Sequence, residues 1–182
     1  MYLGDFTDVD NVTVTNAVIL DWEKGVESFG GAVTNSKVSN LTIKDTTSTD
    51  NDYGIDFVNG NLTGTVVENN TITNRRTRVT DSNGLTFQYN VFNEGVAFIN
   101  GANDSDNTVT GGGITLGGGF GGPATDNEVL DNKIVGTDDG GVSLLSGSGD
   151  NRIIGNNITN NNGTGISISG ASDNVIKNNI VV

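Results

Sequence analysis

The chain has 182 residues, and glycine and asparagine occur 27 times each. Because both are poor helix formers, this composition excludes a helical bundle, whereas the abundant Val, Ile and Thr favour strands. The net charge of −13 excludes a general nucleic-acid-binding protein, and no apolar run approaches the ~20 residues that insertion of a helix into a membrane requires.

A spaced pattern of asparagine and apolar residues recurs along the whole chain. It reads Asn, any residue, Val or Ile, two residues, Asn, any residue, Ile or Val, and successive copies begin 20–29 residues apart. The copies begin at Asn11, Ser36, Thr65, Leu85, Asn107, Asn127, Asn151 and Asn174. A second element, Gly-apolar-x-apolar, follows the first. Its copies begin at Gly25, Gly54, Gly84, Gly95, Gly113, Gly141 and Gly165.

A repeat of this length, made of short alternating strands, predicts a β-solenoid. Alternate strand residues would stack into one apolar column, and Gly and Asn would form the corners. We therefore expect an all-β chain folded as one parallel β-helix domain over residues 1–182, with about 7–8 coils of 20–29 residues each. At one corner, asparagine amides would form a hydrogen-bonded ladder of Asn70, Asn90, Asn132, Asn156 and Asn179. Asn161 is expected to be exposed and outside this ladder.

Three segments are longer than a minimal corner, at residues 44–53, 73–83 and 117–125. The second contains a third of the positive charge of this acidic chain: Arg75, Arg76 and Arg78. We predict that these arginines bind a carboxylate or sulfate of an anionic sugar. The alternative is that they pair with acidic residues of the same molecule, such as Asp50, Asp52 and Asp81. Tyr53 and Phe120 are predicted to stack on a sugar ring; the alternative is that they belong to the core.

The corner before the Gly-apolar strand is rich in acidic residues along the predicted stack. Equivalent carboxylates in adjacent coils would lie ~4.8 Å apart and would repel each other unless a cation bridges them. Because the chain has no Cys and no His, a bound metal would be Ca²⁺, which carboxylate and carbonyl oxygens hold. The predicted ligands are Asp50, Asp52, Asp81, Asp138 and Asp139. The alternative is a solvated acidic edge.

Two stretches resemble a known repeat, DNVTVTNAVILDWEKGV at residues 10–26 and DNRIIGNNITNNNGTGISISGASDNVIKNNIVV at residues 150–182. Both are similar to the right-handed parallel β-helix repeat of pectin-lyase-like and NosD-type proteins, and the resemblance covers nearly the whole chain. It implies a right-handed β-helix. That superfamily includes pectate lyases, polygalacturonases, alginate lyases and epimerases, phage tailspikes and non-enzymatic surface proteins, so the fold does not select one activity.

The catalytic motifs of that superfamily are not reproduced in this chain. The Gly-His-Gly element of polygalacturonases is missing because there is no His. DYGIDF at residues 52–57 resembles the Tyr-Gly-x-Asp-Pro-His element of mannuronan epimerases, but Pro and His are replaced. Our first hypothesis is therefore a non-catalytic extracellular or cell-surface module, structural or glycan-binding, of the surface, fibre or tailspike-like kind. The alternative is a Ca²⁺-dependent lyase or C5-epimerase acting on acidic polysaccharide.

The sequence shows no pattern for a capping element at either end of the predicted stack. An uncapped β-helix exposes unpaired backbone groups and the edge of its apolar column. We therefore expect head-to-tail self-association, in which the coil around Val12–Val18 of one copy stacks on Ile176–Val182 of the next. Ile180 and Val182 are expected on the exposed edge. The alternative is that the chain is a piece of a longer protein.

Overall fold

The computed structural model describes residues 2–5, 8–21, 24–44, 53–58, 60–73, 76–80, 83–93, 96–98, 102–105, 107–117, 123–138 and 140–182. These residues form 26 strands, which pair in parallel into three sheets of eight strands and one sheet of two. The predicted all-β parallel solenoid is confirmed. Within these ranges no helix has the length and apolarity that a membrane span requires.

Each turn of the chain contributes one strand to each of the three large sheets. The first sheet contains β1 (Tyr2–Asp5), β5 (Lys24–Phe29), β9 (Tyr53–Val58), β12 (Arg76–Thr80), β15 (Val96–Phe98), β18 (Ile114–Leu116), β21 (Val142–Leu144) and β24 (Ile166–Ile168). The second contains β3 (Thr13–Thr15), β7 (Lys37–Ser39), β10 (Asn61–Glu68), β13 (Asn83–Gln88), β16 (Ala102–Ser105), β19 (Glu128–Leu130), β22 (Arg152–Ile154) and β25 (Val175–Lys177). The third contains β4 (Val18–Leu20), β8 (Thr42–Lys44), β11 (Thr71–Thr73), β14 (Val91–Phe92), β17 (Thr108–Gly111), β20 (Lys133–Thr137), β23 (Asn157–Thr159) and β26 (Ile180–Val181). The small sheet pairs β2 (Val9–Asp10) with β6 (Val33–Thr34).

The core is an apolar column that runs through the middle of the stack. In the second sheet, Val67 pairs with Val38 of one neighbouring strand and with Phe87 of the other. All three side chains are buried because alternate residues of a strand face the interior. The same alternation in the first and third sheets places Ile55 and Ile134 in the column. Periodicity of two along each strand therefore produces one continuous core.

An asparagine ladder joins successive coils at the corner between the second and third sheets. The backbone N–H of each member donates to the side-chain oxygen of the next member along the chain, at 2.6–3.0 Å. The members are Asn70, Asn90, Asn107, Asn132, Asn156 and Asn179. The predicted ladder is confirmed, and Asn107 is a member that the sequence pattern did not assign to it.

The position of Asn107 corrects the phase of the repeat in the middle of the chain. We predicted that Asn107 begins a copy of the first element, but it is the ladder residue before a third-sheet strand. Val109, two residues later, pairs with Phe92 and Ile134 in that sheet. Gly84 also differs from the prediction, because it lies in β13 of the second sheet rather than at the start of a first-sheet strand.

Strand β12 is a further correction, because Arg76–Thr80 lies inside the segment 73–83 that we predicted to be a loop. The strand pairs with β9 and β15 in the first sheet. Thr77 and Val79 are buried, whereas Arg76 is exposed. The repeat pattern did not predict this strand, because no glycine precedes it and one of its inward-facing residues is a threonine.

Two adjacent residues have different roles at the ladder corner. The second residue is the ladder asparagine, and the residue before it has a positive φ. These turning residues are Asn69, Tyr89, Asp131, Gly155 and Asn178, with φ between 54° and 74°. Gly, Asn and Asp adopt this left-handed conformation most readily, which explains the recurrent Asn-Asn and Asp-Asn pairs. Tyr89 is the exception in this row.

The glycine of the Gly-apolar element is required by a close approach between coils. A Cβ atom on Gly141 would lie 2.3 Å from Cγ2 of Ile158 and 2.4 Å from the carbonyl oxygen of Gly165. Real Cβ atoms do not approach other atoms this closely, because the interior is close-packed. Glycine therefore allows the chain to enter the first sheet directly against the core.

Candidate functional site

Charged side chains cover the outer face of three adjacent strands of the first sheet, β5, β9 and β12. The sheet register aligns Asp56 with Glu27 on one side and with Arg78 on the other. Ile55 and Phe57 flank Asp56 in sequence and are buried in the core, so Asp56 faces outward. We call the following group the charged patch: Lys24, Glu27, Asp56, Arg76 and Arg78.

Asp56 is the centre of the charged patch and is fully buried although it lies on the outer face. Arg78 donates from Nε to Oδ1 of Asp56 at 2.7 Å and from Nη2 to Oδ2 at 2.8 Å. Nζ of Lys24 lies 3.2 Å from the same Oδ2 and also contacts Glu27. A buried carboxylate is tolerated only when it is paired and hydrogen-bonded. Cations from both neighbouring strands supply that pairing, and the bidentate arrangement fixes the orientation of Arg78.

Arg78 is held from a second side by Tyr53. Its guanidinium carbon lies 4.3 Å from the centroid of the Tyr53 ring, which is a cation–π contact. The hydrogen bonds to Asp56 raise the pKa of Arg78. Burial alone would lower the pKa of Lys24, but its hydrogen bonds to Glu27 and Asp56 raise it. One face of the Tyr53 ring, which we predicted to stack on a sugar, is thus covered by Arg78.

Arg76 differs from Arg78 in its surroundings. It is exposed, and it forms no ion pair with another residue that the structure describes. With Lys24 and Arg78 it makes three cationic side chains against the two carboxylates of Glu27 and Asp56. The charged patch therefore carries a net positive charge on a chain whose net charge is −13.

The structure brings together some of the predicted sugar-binding residues. Tyr53, Arg76 and Arg78 lie on the adjacent strands β9 and β12. Arg75 and Phe120 lie outside the described residues. Their part in a site stays a prediction.

Of the five predicted Ca²⁺ ligands, Asp138 is the one that lies among the described residues. Asp138 is exposed, and its Oδ1 accepts a hydrogen bond from Nδ2 of Asn162 at 3.0 Å. In the described ranges no group of three or more His, Cys, Asp and Glu residues is placed to hold a metal ion. The other four predicted ligands lie outside those ranges: Asp50, Asp52, Asp81 and Asp139.

Sequence reasoning missed Asp56 as the partner of Arg78. Our alternative had been intramolecular pairing with acidic residues such as Asp50, Asp52 and Asp81, whereas the partner is Asp56, which lies 22 residues before Arg78 and on the adjacent strand. A signal was present, because Asp56 is the outward residue of a Gly-apolar-x-apolar element, as Glu27 is. Aligning Arg78 with these two residues required knowing that residues 76–80 form a strand of the first sheet, which the sequence pattern did not predict.

The cationic groups of the charged patch can chemically bind an anion. Both of its carboxylates are engaged in ion pairs. Arg76 is exposed, and Nη1 of Arg78 is not part of the bidentate pair with Asp56. Guanidinium groups bind carboxylates and sulfates through charge-assisted hydrogen bonds.

Comparison with known proteins identifies a family whose sequence model matches this chain. The sequence model described as "Periplasmic copper-binding protein (NosD)" matches residues 61–182. No curated protein matches the chain. Among solved structures, the crystal structure of the Agl-KA catalytic domain is similar at 11% identity with a TM-score of 0.29. The similarity covers all of this chain and 60% of that one, so this chain spans less than two thirds of the length of that domain.

Proposed function

Because the chain belongs to the NosD family of β-solenoid proteins, we propose that it is an exported, non-catalytic module that binds acidic polysaccharide. The family description names periplasmic proteins, which supports a site of action outside the cytoplasm. The charged patch on the first sheet would be the binding site. Its position on a long, rigid sheet suits a linear polymer that lies across several strands.

The observation that carries this proposal is the exposure of the Arg76 side chain. It is exposed beside Arg78, while the carboxylates of the patch are already neutralised by Lys24 and Arg78. An anionic sugar can therefore approach Arg76 without displacing an internal partner that the structure describes. Tyr53 supports the site indirectly, because its ring holds the guanidinium group of Arg78 in place.

Copper, which the family description names, does not fit the residues of this chain. Copper sites use imidazole, thiolate and thioether ligands, and the chain contains no His, no Cys and a single Met. We therefore derive no role for copper. The oxygen donors of the chain would suit Ca²⁺. The effect of Ca²⁺ on polysaccharide binding is therefore tested below.

Binding to immobilised alginate and polygalacturonate tests the proposed function. The natural chain should bind one of these polymers. Arg76→Ala should weaken binding about tenfold, because a charge-assisted hydrogen bond to a carboxylate is lost. Arg152→Ala is the matched control, since Arg152 is an exposed arginine of the second sheet whose contact with Glu128 lies outside the patch. Its affinity should be unchanged.

Two outcomes would contradict the proposal: no binding by the natural chain, or equal effects of the two arginine substitutions. The measurements are made with Ca²⁺ and with a chelator, which tests the predicted dependence on Ca²⁺. Absorbance of unsaturated sugar ends is followed in the same samples. A rise would show that the alternative, a lyase, is correct.

A further inference from the structure

The third sheet differs from the rest of the molecule in its charge. None of its eight strands contains an Asp or Glu residue, although the chain has 22 of them. Its charged residues are Lys44 and Lys133, which lie on strands four positions apart in the sheet, or ~19 Å. Threonine, valine and asparagine occupy most of the outward positions. We call the outward side of these eight strands the third-sheet face.

A strained aromatic residue lies at the edge of the third-sheet face. Tyr89 is at the corner that leads into β14, and its φ is 56°. The turning residues at the same corner of the other described coils are Gly, Asn or Asp, for which this conformation costs little. The side chain of Tyr89 is 55% exposed, so packing of the ring in the core does not explain the residue. Strain retained at an exposed position is typical of a functional site.

The dimensions of the third-sheet face indicate what it can bind. Its strands are two to five residues long and average about three, so the face is ~10 Å wide and ~35 Å long. This area of ~350 Å² is less than half of the ~800 Å² that each partner contributes to a stable protein interface. A single extended polymer chain fits the strip better than a folded protein does.

The charges around the third-sheet face favour an uncharged polymer. Asp21, Asp131 and Asp138 lie at the corners that flank its strands, and all three are exposed. A polyanion placed along the strip would be repelled by these carboxylates. Within the strip, hydroxyl and methyl groups such as those of Thr71 and Val91 match the mixed polar and apolar surface of a neutral sugar.

We propose that the third-sheet face, with Tyr89 at its edge, binds an uncharged polysaccharide. The tyrosine ring stacks on the apolar face of a pyranose ring, and Val91 and Thr71 contact the neighbouring sugar unit. This site is separate from the charged patch, because the two lie on different sheets. Its binding is insensitive to salt, whereas binding through Arg76 weakens as salt screens the charges.

Affinity electrophoresis of the natural chain in dextran, laminarin and galactomannan tests this inference. At least one of these uncharged polymers should retard the protein. Tyr89→Asn should lower the affinity at least about tenfold, because the stacking ring is lost. The same substitution should raise Tm by about 2–4 °C, because asparagine relieves the backbone strain. Tyr89→Phe keeps the ring and should retain binding.

A second pair of variants tests the face itself. Thr71→Glu places a carboxylate on the third-sheet face and should abolish binding, whereas Thr13→Glu places one on an exposed position of the second sheet and should have no effect. The inference is overturned if no uncharged polymer retards the natural chain, if Tyr89→Asn binds as tightly as the natural chain, or if its Tm does not rise. Loss of binding in Arg76→Ala alone would concern the charged patch and leave the third-sheet face intact.

Discussion

At the scale of single residues, asparagine performs two tasks at adjacent positions. Asn178 turns the chain with φ 58°, and Asn179 accepts the ladder hydrogen bond from Asn156. The turning position tolerates Asp and Gly, as Asp131 and Gly155 show. An amide suits the ladder position, because one side chain can accept from a backbone N–H and also donate to a carbonyl of another coil. Asn156 does so with Asn132 and Val129.

Removing a ladder amide should cost stability. Asn156→Ala leaves the N–H of Asn132 and the carbonyl of Val129 without these partners, so we expect a loss of about 1–3 kcal/mol in the free energy of unfolding. Urea denaturation followed by circular dichroism measures it. Asn157→Ala is the matched control, because Asn157 is the next residue and is exposed. Equal losses in the two variants would contradict the ladder's role.

Asn161, which we expected to be exposed, is unsuitable as that control. It is half-buried, and its side-chain oxygen accepts hydrogen bonds from the N–H and the hydroxyl of Thr137, each at 2.9 Å. The expectation was wrong because a run of three asparagines suggests a solvated loop. The stacking of coils instead gives Asn161 a partner 24 residues earlier in the chain.

At the scale of the strands, inward threonines show how a hydroxyl is accommodated in the apolar column. Thr65 is fully buried at the start of the inward pattern of β10, and its hydroxyl donates to the carbonyl of Val33 at 2.6 Å. Thr77 of β12 is equally buried, but its hydroxyl has no hydrogen-bond partner among the residues that the structure describes. The same residue type therefore has opposite consequences in two strands.

This difference predicts opposite effects of one substitution. Thr77→Val should stabilise the protein by about 1 kcal/mol, because an unsatisfied buried hydroxyl is replaced by a methyl group of similar size. Thr65→Val should destabilise it by about 1–3 kcal/mol, because the carbonyl of Val33 loses its donor. Thermal unfolding of both variants measures the two shifts. Shifts of the same sign would show that the hydroxyl contacts do not decide these strands' stability.

At the scale of the whole molecule, the inward-facing residues of the last coil are less buried than those of the coil before it. Ile176 is 38% exposed and Val181 is 50% exposed, whereas their register partners Ile153 and Ile158 are buried. Ile180 pairs with the exposed Asn157, so it lies on the outer face of the third sheet. The residues that a stacked second copy would cover in the column are therefore Ile176 and Val181, rather than Ile180 as the sequence suggested.

Head-to-tail stacking of two copies stays a prediction, and the ladder limits its strength. The N–H groups of Asn174 and Asn179 would need side-chain acceptors from the next coil, as Asn151 and Asn156 have. In a second copy the equivalent positions are Val12 and Ala17, which have no such acceptor. Stacking would extend the sheets and the column but bury unpaired N–H groups, so we expect weak association.

Light scattering over a wide range of protein concentrations tests the stacking. We expect larger species only at high concentration. Val181→Lys should remove them, because a charge would enter the column at the contact, whereas Ile180→Lys on the outer face should have little effect. Circular dichroism confirms that both variants fold. A natural chain that is monomeric at every concentration would refute the prediction.

The sequence by itself determined the solenoid, the types of residue at its corners and most of the asparagine ladder. These features follow from local rules: a strand period of two, the backbone freedom of Gly and Asn, and a fixed spacing between the two asparagines of each repeat. The cluster of Arg75, Arg76 and Arg78 was also noticeable from composition alone, since a cationic cluster is unusual on this acidic chain, and its role in binding stays a prediction.

Only the tertiary structure decided which side chains meet. Because coil length varies along the chain, lateral neighbours depend on the stacking register and not on the distance between residues in sequence. The pair of Asp56 with Arg78, the hidden strand β12 and the place of Asn107 in the ladder all follow from that register. The same register places Tyr89 in a row of Gly, Asn and Asp beside a sheet without acidic residues. Neighbours across coils are set by packing of the column and backbone hydrogen bonding between strands, which no local pattern encodes.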